Sequence, residues 1–146
     1  MNFEYIKQII KPEQTVVDEK CKVIIGKNEF EEDAIVKTLF IFFLIFLDGV
    51  KVNSLDEQQH KEVLKYVYGK IQKRYYPKAI DNLCLPSQNS SSTFLKVKSI
   101  LNKYLINFLG KQLSEYYLIL KKDDSDVYKT NLAPEYLVLQ LKSHVM

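Results

Sequence analysis

An uninterrupted run of nine apolar residues, LFIFFLIFL at positions 39–47, restricts the possible folds of this chain more than any other feature. Burial of such a run away from water is strongly favourable, and a helix that crosses a bilayer needs about 20 apolar residues. Extending the run back to position 34 takes in Lys37 and Thr38. The run therefore predicts a helix buried in the core of the protein rather than a membrane span.

The residues around this run indicate where the buried helix begins and ends. Asn28 offers an N-cap with Glu31 three residues later, which is the spacing of a capping box. Further acidic residues in the next positions would complement the positive end of the helix dipole. Gly49 suits the C-terminal cap, so we expect the helix at about residues 29–48.

Before this helix, the apolar residues between Pro12 and Gly26 keep helical spacing. Proline is favoured in the first turn of a helix and glycine directly after the last turn. This segment is therefore predicted to be helical. A strand over residues 21–25 is the alternative.

After the buried helix, Ser54 and Glu57 form a second capping box, and the helix that they begin would continue until Pro77 stops it. A Pro/Ser/Asn-rich stretch at residues 86–93 is typical of a loop. The apolar residues that follow it at helical spacing, over residues 94–108, predict another helix.

The C-terminal third admits two interpretations. Residues 123–126 (DDSD) form a predicted turn, and residues 117–122 and 127–130 could pair around it as a hairpin. Pro134 suits a helix start, whereas the alternating leucines of residues 135–141 are typical of a strand.

A chain of 146 residues, 47% hydrophobic and 27% charged, can bury one sizeable core. We therefore expect a mainly α fold, a compact single-domain helical bundle over residues 1–146 around the buried helix at about residues 29–48. An α+β fold is the alternative, and a small C-terminal β hairpin could accompany the bundle.

Composition also indicates where the protein works. Cys21 and Cys84 are the only cysteines and neither belongs to a CxxC pair, which argues against a disulfide framework or a thiolate zinc site. The N-terminal sequence lacks the parts of a secretory signal. Arg74 is the only arginine among many lysines, a pattern typical of AT-rich coding. We expect two free thiols in a protein of the bacterial cytoplasm.

Few residues could carry catalytic or metal chemistry. Glu57 and His60 form a Glu-x-x-His pair of the kind found in di-iron bundles, but such sites use the motif twice, and Leu141 stands where His144 would need its glutamate. Residues 123–126 lack the glycine and downstream glutamate of an EF-hand. Nucleotide-binding and hydrolase motifs are also missing from the sequence. We therefore expect that the protein is not an enzyme and that it binds neither a metal nor a cofactor.

Charge is distributed unevenly along the chain. Residues 1–59 have a net charge of −4 and residues 112–146 of −1, whereas residues 60–111 have nine lysines and Arg74 against two acids, a net charge of +8. The basic segment contains cations interleaved with aromatic residues, as nucleic-acid-binding surfaces often do. This basic run consists of Lys70, Lys73, Arg74, Tyr75, Tyr76 and Lys78.

These features favour binding of another protein over catalysis. The specific hypothesis is a bacterial immunity or antitoxin-type inhibitor that binds and blocks a toxic enzyme. A basic toxin would meet an acidic surface, since opposite charges orient the two proteins. The candidate acidic set is Glu13, Asp18, Glu19, Glu29, Glu31 and Glu32. An acidic partner would instead meet the basic run. The alternative function is a small nucleic-acid-binding regulator that uses residues 60–111.

Overall fold

The computed structural model describes residues 10–72, 74, 76–85, 93–123 and 125–141. About 50% of it is helical and 15% is strand, in two sheets. The fold is therefore α+β, and the expected mainly α bundle is wrong. The elements are β1 (Thr15–Val17), β2 (Val23–Ile25), β3 (Asn28–Glu29), α1 (Ala34–Ile45), β4 (Val50–Lys51), α2 (Gln58–Ile71), α3 (Pro77–Cys84), α4 (Thr93–Leu109), α5 (Lys111–Ser114), β5 (Leu120–Lys121), β6 (Val127–Lys129) and β7 (Leu137–Leu139).

The N-terminal segment forms a β-hairpin, so the helix predicted between Pro12 and Gly26 is wrong; of the alternative strand at residues 21–25, residues 23–25 form β2. Strands β1 and β2 pair antiparallel, with Val17 opposite Val23. Asp18 directs the turn, because its carboxylate accepts hydrogen bonds from two backbone N–H groups of the loop. β-branched residues on both sides of such a turn favour a hairpin over a helix.

The first sheet has the strand order β3-β2-β1-β7. Strand β7 runs parallel to β1, with Val138 opposite Val16, and the backbone N–H of Gln140 donates to the carbonyl of Val17. The strand interpretation of the alternating leucines is thus correct. This parallel pairing joins the two ends of the described chain in one sheet.

The second sheet has the order β4-β6-β5, and both pairings are antiparallel. The hairpin formed by β5 and β6 confirms the β alternative for the C-terminal third. Gly49 lies at the turn into β4 with a φ of +101°, and a Cβ there would come within 2.6 Å of a Val127 side-chain carbon. Only glycine fits this close approach.

Helix α1 confirms that the apolar run forms a buried core helix, but it begins later and ends earlier than expected. Asn28 and Glu29 pair with β2 as β3, so Asn28 does not cap a helix. Asp33 occupies the N-cap position, without a side-chain hydrogen bond. The strand pairing, which involves residues distant from the helix, overrides the local capping signal.

The second predicted capping box is also absent. Ser54 belongs to a short 3-10 turn and its hydroxyl donates to the carbonyl of Lys51, while Glu57 occupies the N-cap position of α2. Helix α2 ends at Ile71, and Pro77 begins α3 instead of stopping α2. Of the predicted loop at residues 86–93, residues 86–92 lie outside the described residues, and Thr93 begins α4.

Helix α1 packs against both α2 and α4, and α3 contacts the same two helices. The buried face of α4 is the predicted one, with Phe94, Val97, Leu101 and Leu105 in the core. Among the described helices, none is both long enough and apolar enough to cross a bilayer.

Candidate partner-binding surface

The two cysteines are free, as expected, and both are buried. Burial raises the pKa of the Cys21 thiol to about 11 and that of the Cys84 thiol also to about 11, because the thiolate loses its hydration. Thiolate is the nucleophilic form of cysteine. These positions therefore favour a packing role over a nucleophilic one.

We expect neither thiol of the folded protein to react with Ellman's reagent near pH 8. With a pKa of about 11, only about one thiol in a thousand is ionised there, and the fraction increases as the pH rises. Denaturant should release both cysteines for labelling. A Ser99→Cys variant, with an exposed thiol on α4, is the control and should react at once. Rapid labelling of the folded wild-type protein would contradict the burial of its thiols.

His60 is held by structural contacts. Its Nδ1–H donates to the carbonyl of Ser54 over 2.8 Å, and Glu57 Oε2 is 4.0 Å from the same nitrogen. The imidazole packs edge-on against the rings of Phe42 and Phe46 at 5.7 and 5.0 Å. The Glu-x-x-His pair thus fastens the start of α2 to the core helix.

Metal-ligating side chains do not cluster in the described ranges, which exclude His144. No group of three or more His, Cys, Asp and Glu side chains comes together there in a way that could hold an ion. The described residues of the DDSD segment lie in the predicted turn, which is closed by a hydrogen bond from the N–H of Lys122 to the carbonyl of Val127. Within it, Asp124 lies outside the described residues.

Three of the six candidate acidic residues are engaged locally. Asp18 accepts the N–H groups of Lys20 and Lys22 at 2.9 and 2.8 Å. Glu29 pairs with Lys22 over 3.2 Å. Glu32 accepts the N–H of the next residue. Lys22 thus offsets the charge of Glu29, and the carboxylates of Asp18 and Glu32 are held against the backbone of their own segments.

The length of the hairpin separates two of the remaining acidic candidates, Glu13 and Glu19. Glu13 precedes β1 and lies against Gly26, at the opposite end of the hairpin from Glu19. Five residue steps, which include the three residues of β1, lead from Glu13 to Asp18 at the hairpin turn and span about 16 Å of extended chain. Glu31 is exposed near the start of α1, and its backbone N–H donates to the Tyr104 hydroxyl. The acidic set is consequently not one continuous patch.

The described residues of the basic run lie at the junction between α2 and α3. Lys70 lies over the ring of Tyr66 at 5.6 Å, and Arg74 and Lys78 are exposed. Tyr76 is exposed at the N-cap position of α3. Lys73 and Tyr75 lie outside the described residues. The described members thus share one exposed corner of the helical layer formed by α2, α3 and α4.

Two exposed apolar residues on α4 were not among the candidates predicted from the sequence. Ile100 is 51% exposed and Ile106 is 41% exposed, on the side of the helix opposite its buried face. Both positions fall outside the apolar stripe from which this helix was predicted. An isoleucine on the face expected to be polar is the sequence feature that could have identified them. Large apolar side chains on a solvent face are typical of binding surfaces when they occur together.

Known proteins provide no assignment for this surface. Comparisons with protein-family models, with curated proteins and with solved structures found no match to the chain.

Proposed function

We propose that this chain is a protein-binding domain, not an enzyme, that acts in the bacterial cytoplasm. The specific form of the proposal is an inhibitor of the immunity or antitoxin type, which blocks a toxic enzyme by covering its working surface. The interface is the helical layer. A basic interface of this kind would suit an enzyme whose active site is lined with carboxylates.

One observation carries the proposal: exposed apolar side chains and an excess of cations are both found on the helical layer, where Glu62 of α2 and Asp81 of α3 are the only acidic residues within the three helices. Of the five large apolar side chains exposed among the described residues, four belong to α3, α4 or their caps. These four are Tyr76, Leu85, Ile100 and Ile106. Protein interfaces combine apolar side chains with polar and charged ones, and both kinds are exposed on this layer.

The cations of the layer form its polar component. Within α2, Lys61 is paired with Asp81 of α3 over 3.0 Å. Other cations are exposed, namely Lys65, Lys70, Arg74, Lys78, Lys96 and Lys103. Such a surface attracts acidic partners over a distance, which raises the rate of association.

A nucleic-acid partner would also be attracted by these cations, but it would use the surface differently. Base recognition relies heavily on arginine, and Arg74 is the only arginine of the chain. Exposed isoleucines contribute little to phosphate binding, whereas burial of their surface stabilises a protein complex. The combination of exposed cations and exposed isoleucines therefore favours a protein partner over nucleic acid.

The test is affinity capture from the native host with the tagged full chain, at about 0.15 M and again at about 1 M salt, which shortens the screening length from about 8 to about 3 Å. We expect one protein in a stoichiometric complex that survives high salt, because apolar burial is not screened. Expression of that protein alone should arrest growth of a second host, and co-expression of this chain should restore it. Nucleic acid that elutes with salt, without a protein, would contradict the proposal. An unrelated protein with the same tag is the control.

A further inference from the structure

The solvent face of α4 has a regular composition. Its exposed positions recur every three or four residues and form one stripe along the helix. The stripe consists of Lys96, Ser99, Ile100, Lys103, Ile106, Asn107 and, at the end of the helix, Gly110. No acidic residue belongs to it.

Within the stripe, the two lysines lie between the two isoleucines. At about 100° per residue, Ile100 and Ile106 are about 120° apart around the helix, and Lys96 and Lys103 point between them. The isoleucines are about 9 Å apart along the axis and the lysines about 10 Å. The helix thus presents a basic ridge with an apolar side chain on each flank.

The charge of this ridge is not neutralised within the described part of the chain. Lys96 and Lys103 form no ion pair there, in contrast to Lys22 and Lys61. The sequence contains no acidic residue between Asp81 and Glu115. A partner of opposite charge is therefore the complement that this ridge lacks.

We infer that the outer face of α4 is the docking ridge for a groove of the partner protein, with acidic side chains on the groove floor and apolar side chains on its walls. This inference rests on the proposed function and names the surface that performs it. The lysines pair with the carboxylates of the floor, and the isoleucines pack against the walls. A helix that inserts into a groove in this way anchors itself through a few residues at helical spacing.

Two other anionic surfaces would attract the lysines but fit the ridge less well. An anionic membrane binds a helix whose apolar face is wide and continuous, whereas lysines separate the isoleucines here. Nucleic acid would pair with the lysines and leave both isoleucines in water. A protein groove satisfies both kinds of side chain at once.

The probe for this inference is the protein recovered in the affinity capture, purified and titrated against variants of the full chain by calorimetry. The apolar variant is Ile100→Ala with Ile106→Ala, since alanine preserves the helix. Its control is Leu120→Ala, which truncates an exposed apolar side chain outside the helical layer. The charge variant is Lys96→Glu with Lys103→Glu, and its control is Lys20→Glu with Lys27→Glu in two exposed turns of the first sheet.

We expect the Kd to rise by at least about tenfold for each α4 variant and by less than about threefold for each control. Circular dichroism should show that all four variants stay folded. A captured protein that binds the isoleucine variant as tightly as the wild type overturns the docking ridge and leaves the proposed function standing.

Two parallel titrations use phosphatidylserine vesicles and duplex DNA as probes. One outcome would overturn both the inference and the proposed function. In that outcome no protein is captured, and the chain binds vesicles or DNA in a way that depends on Lys96 and Lys103 but not on the isoleucines. Absence of binding to these two probes, together with the loss for the isoleucine variant, supports the ridge.

Discussion

Phe30→Ala is expected to lower the free energy of unfolding by about 3 to 5 kcal/mol. Phe30 is completely buried directly after β3. Its ring stacks on Phe40 of α1 at 5.0 Å and meets Tyr104 of α4 edge-on at 4.8 Å. Removal of the ring leaves a cavity where the first sheet meets both helices.

Urea unfolding followed by far-ultraviolet circular dichroism measures this loss. Phe108→Ala is the matched control, because Phe108 belongs to the same aromatic group but is only half-buried, with its ring 6.4 Å from that of Phe30. Less buried apolar surface is lost when it is truncated, so its effect on stability should be smaller. If the control costs as much as Phe30→Ala, Phe30 is not the centre of this cluster.

The sequence predicts the buried helix well and its boundaries poorly, and the reason is physical. Nine consecutive apolar residues can only be buried, whatever surrounds them. A capping box is a weaker signal, because its hydrogen bonds contribute about 1 kcal/mol and a strand partner can replace them. Asn28 and Glu29 pair with β2. No local sequence pattern reveals this pairing.

Short strands explain the wrong fold class. Strands β1 and β2 have three residues each, so a two-residue alternation hardly has room to show. The same apolar residues also fit helical spacing, and length is what separates the two patterns. The turn chemistry of Asp18 was the feature that could have decided between them.

The sequence predicts the grouping of some candidate site residues and not of others. Sequence order groups the acidic candidates, but the hairpin places Glu13 and Glu19 at opposite ends. The described members of the basic run lie near one another because they follow each other in sequence through the junction of α2 and α3, and their role in binding stays a prediction. Ile100 and Ile106 could have been found as apolar residues that fall outside the core stripe of their helix.

The proposed docking ridge and the core share α4, so the helix must be held firmly on one face to present the other. Phe94 meets Tyr128 of β6 edge-on at 5.1 Å, and Lys98 lies over the same ring at 5.5 Å. The second sheet thus supports the buried side of α4. Substitutions that loosen this support should weaken partner binding only as far as they destabilise the fold, which separates them from substitutions of the ridge.

Asn102→Ala is the second large prediction, with an expected loss of about 2 to 4 kcal/mol in the free energy of unfolding. The Asn102 side chain donates to the carbonyl of Ile119 and accepts its N–H, each over 2.9 Å. Ile119 is completely buried before β5, so water cannot replace either hydrogen bond. The amide therefore fastens the second sheet to α4.

Two further variants isolate this amide in the same urea experiment. Asn107→Ala, on the exposed side of the same helix, brings the same gain in helix propensity and should change the free energy of unfolding by less than about 0.5 kcal/mol.

Asn102→Asp keeps the acceptor oxygen, but its carboxylate would face the carbonyl of Ile119. Burial beside this oxygen raises the pKa of the new carboxyl, because only the protonated form can donate. The variant should therefore be most stable at low pH relative to the wild type, and lose that stability as the pH rises through the raised pKa. Equal losses at both asparagines, or a flat pH profile for Asn102→Asp, would show that the amide does not hold the sheet to α4.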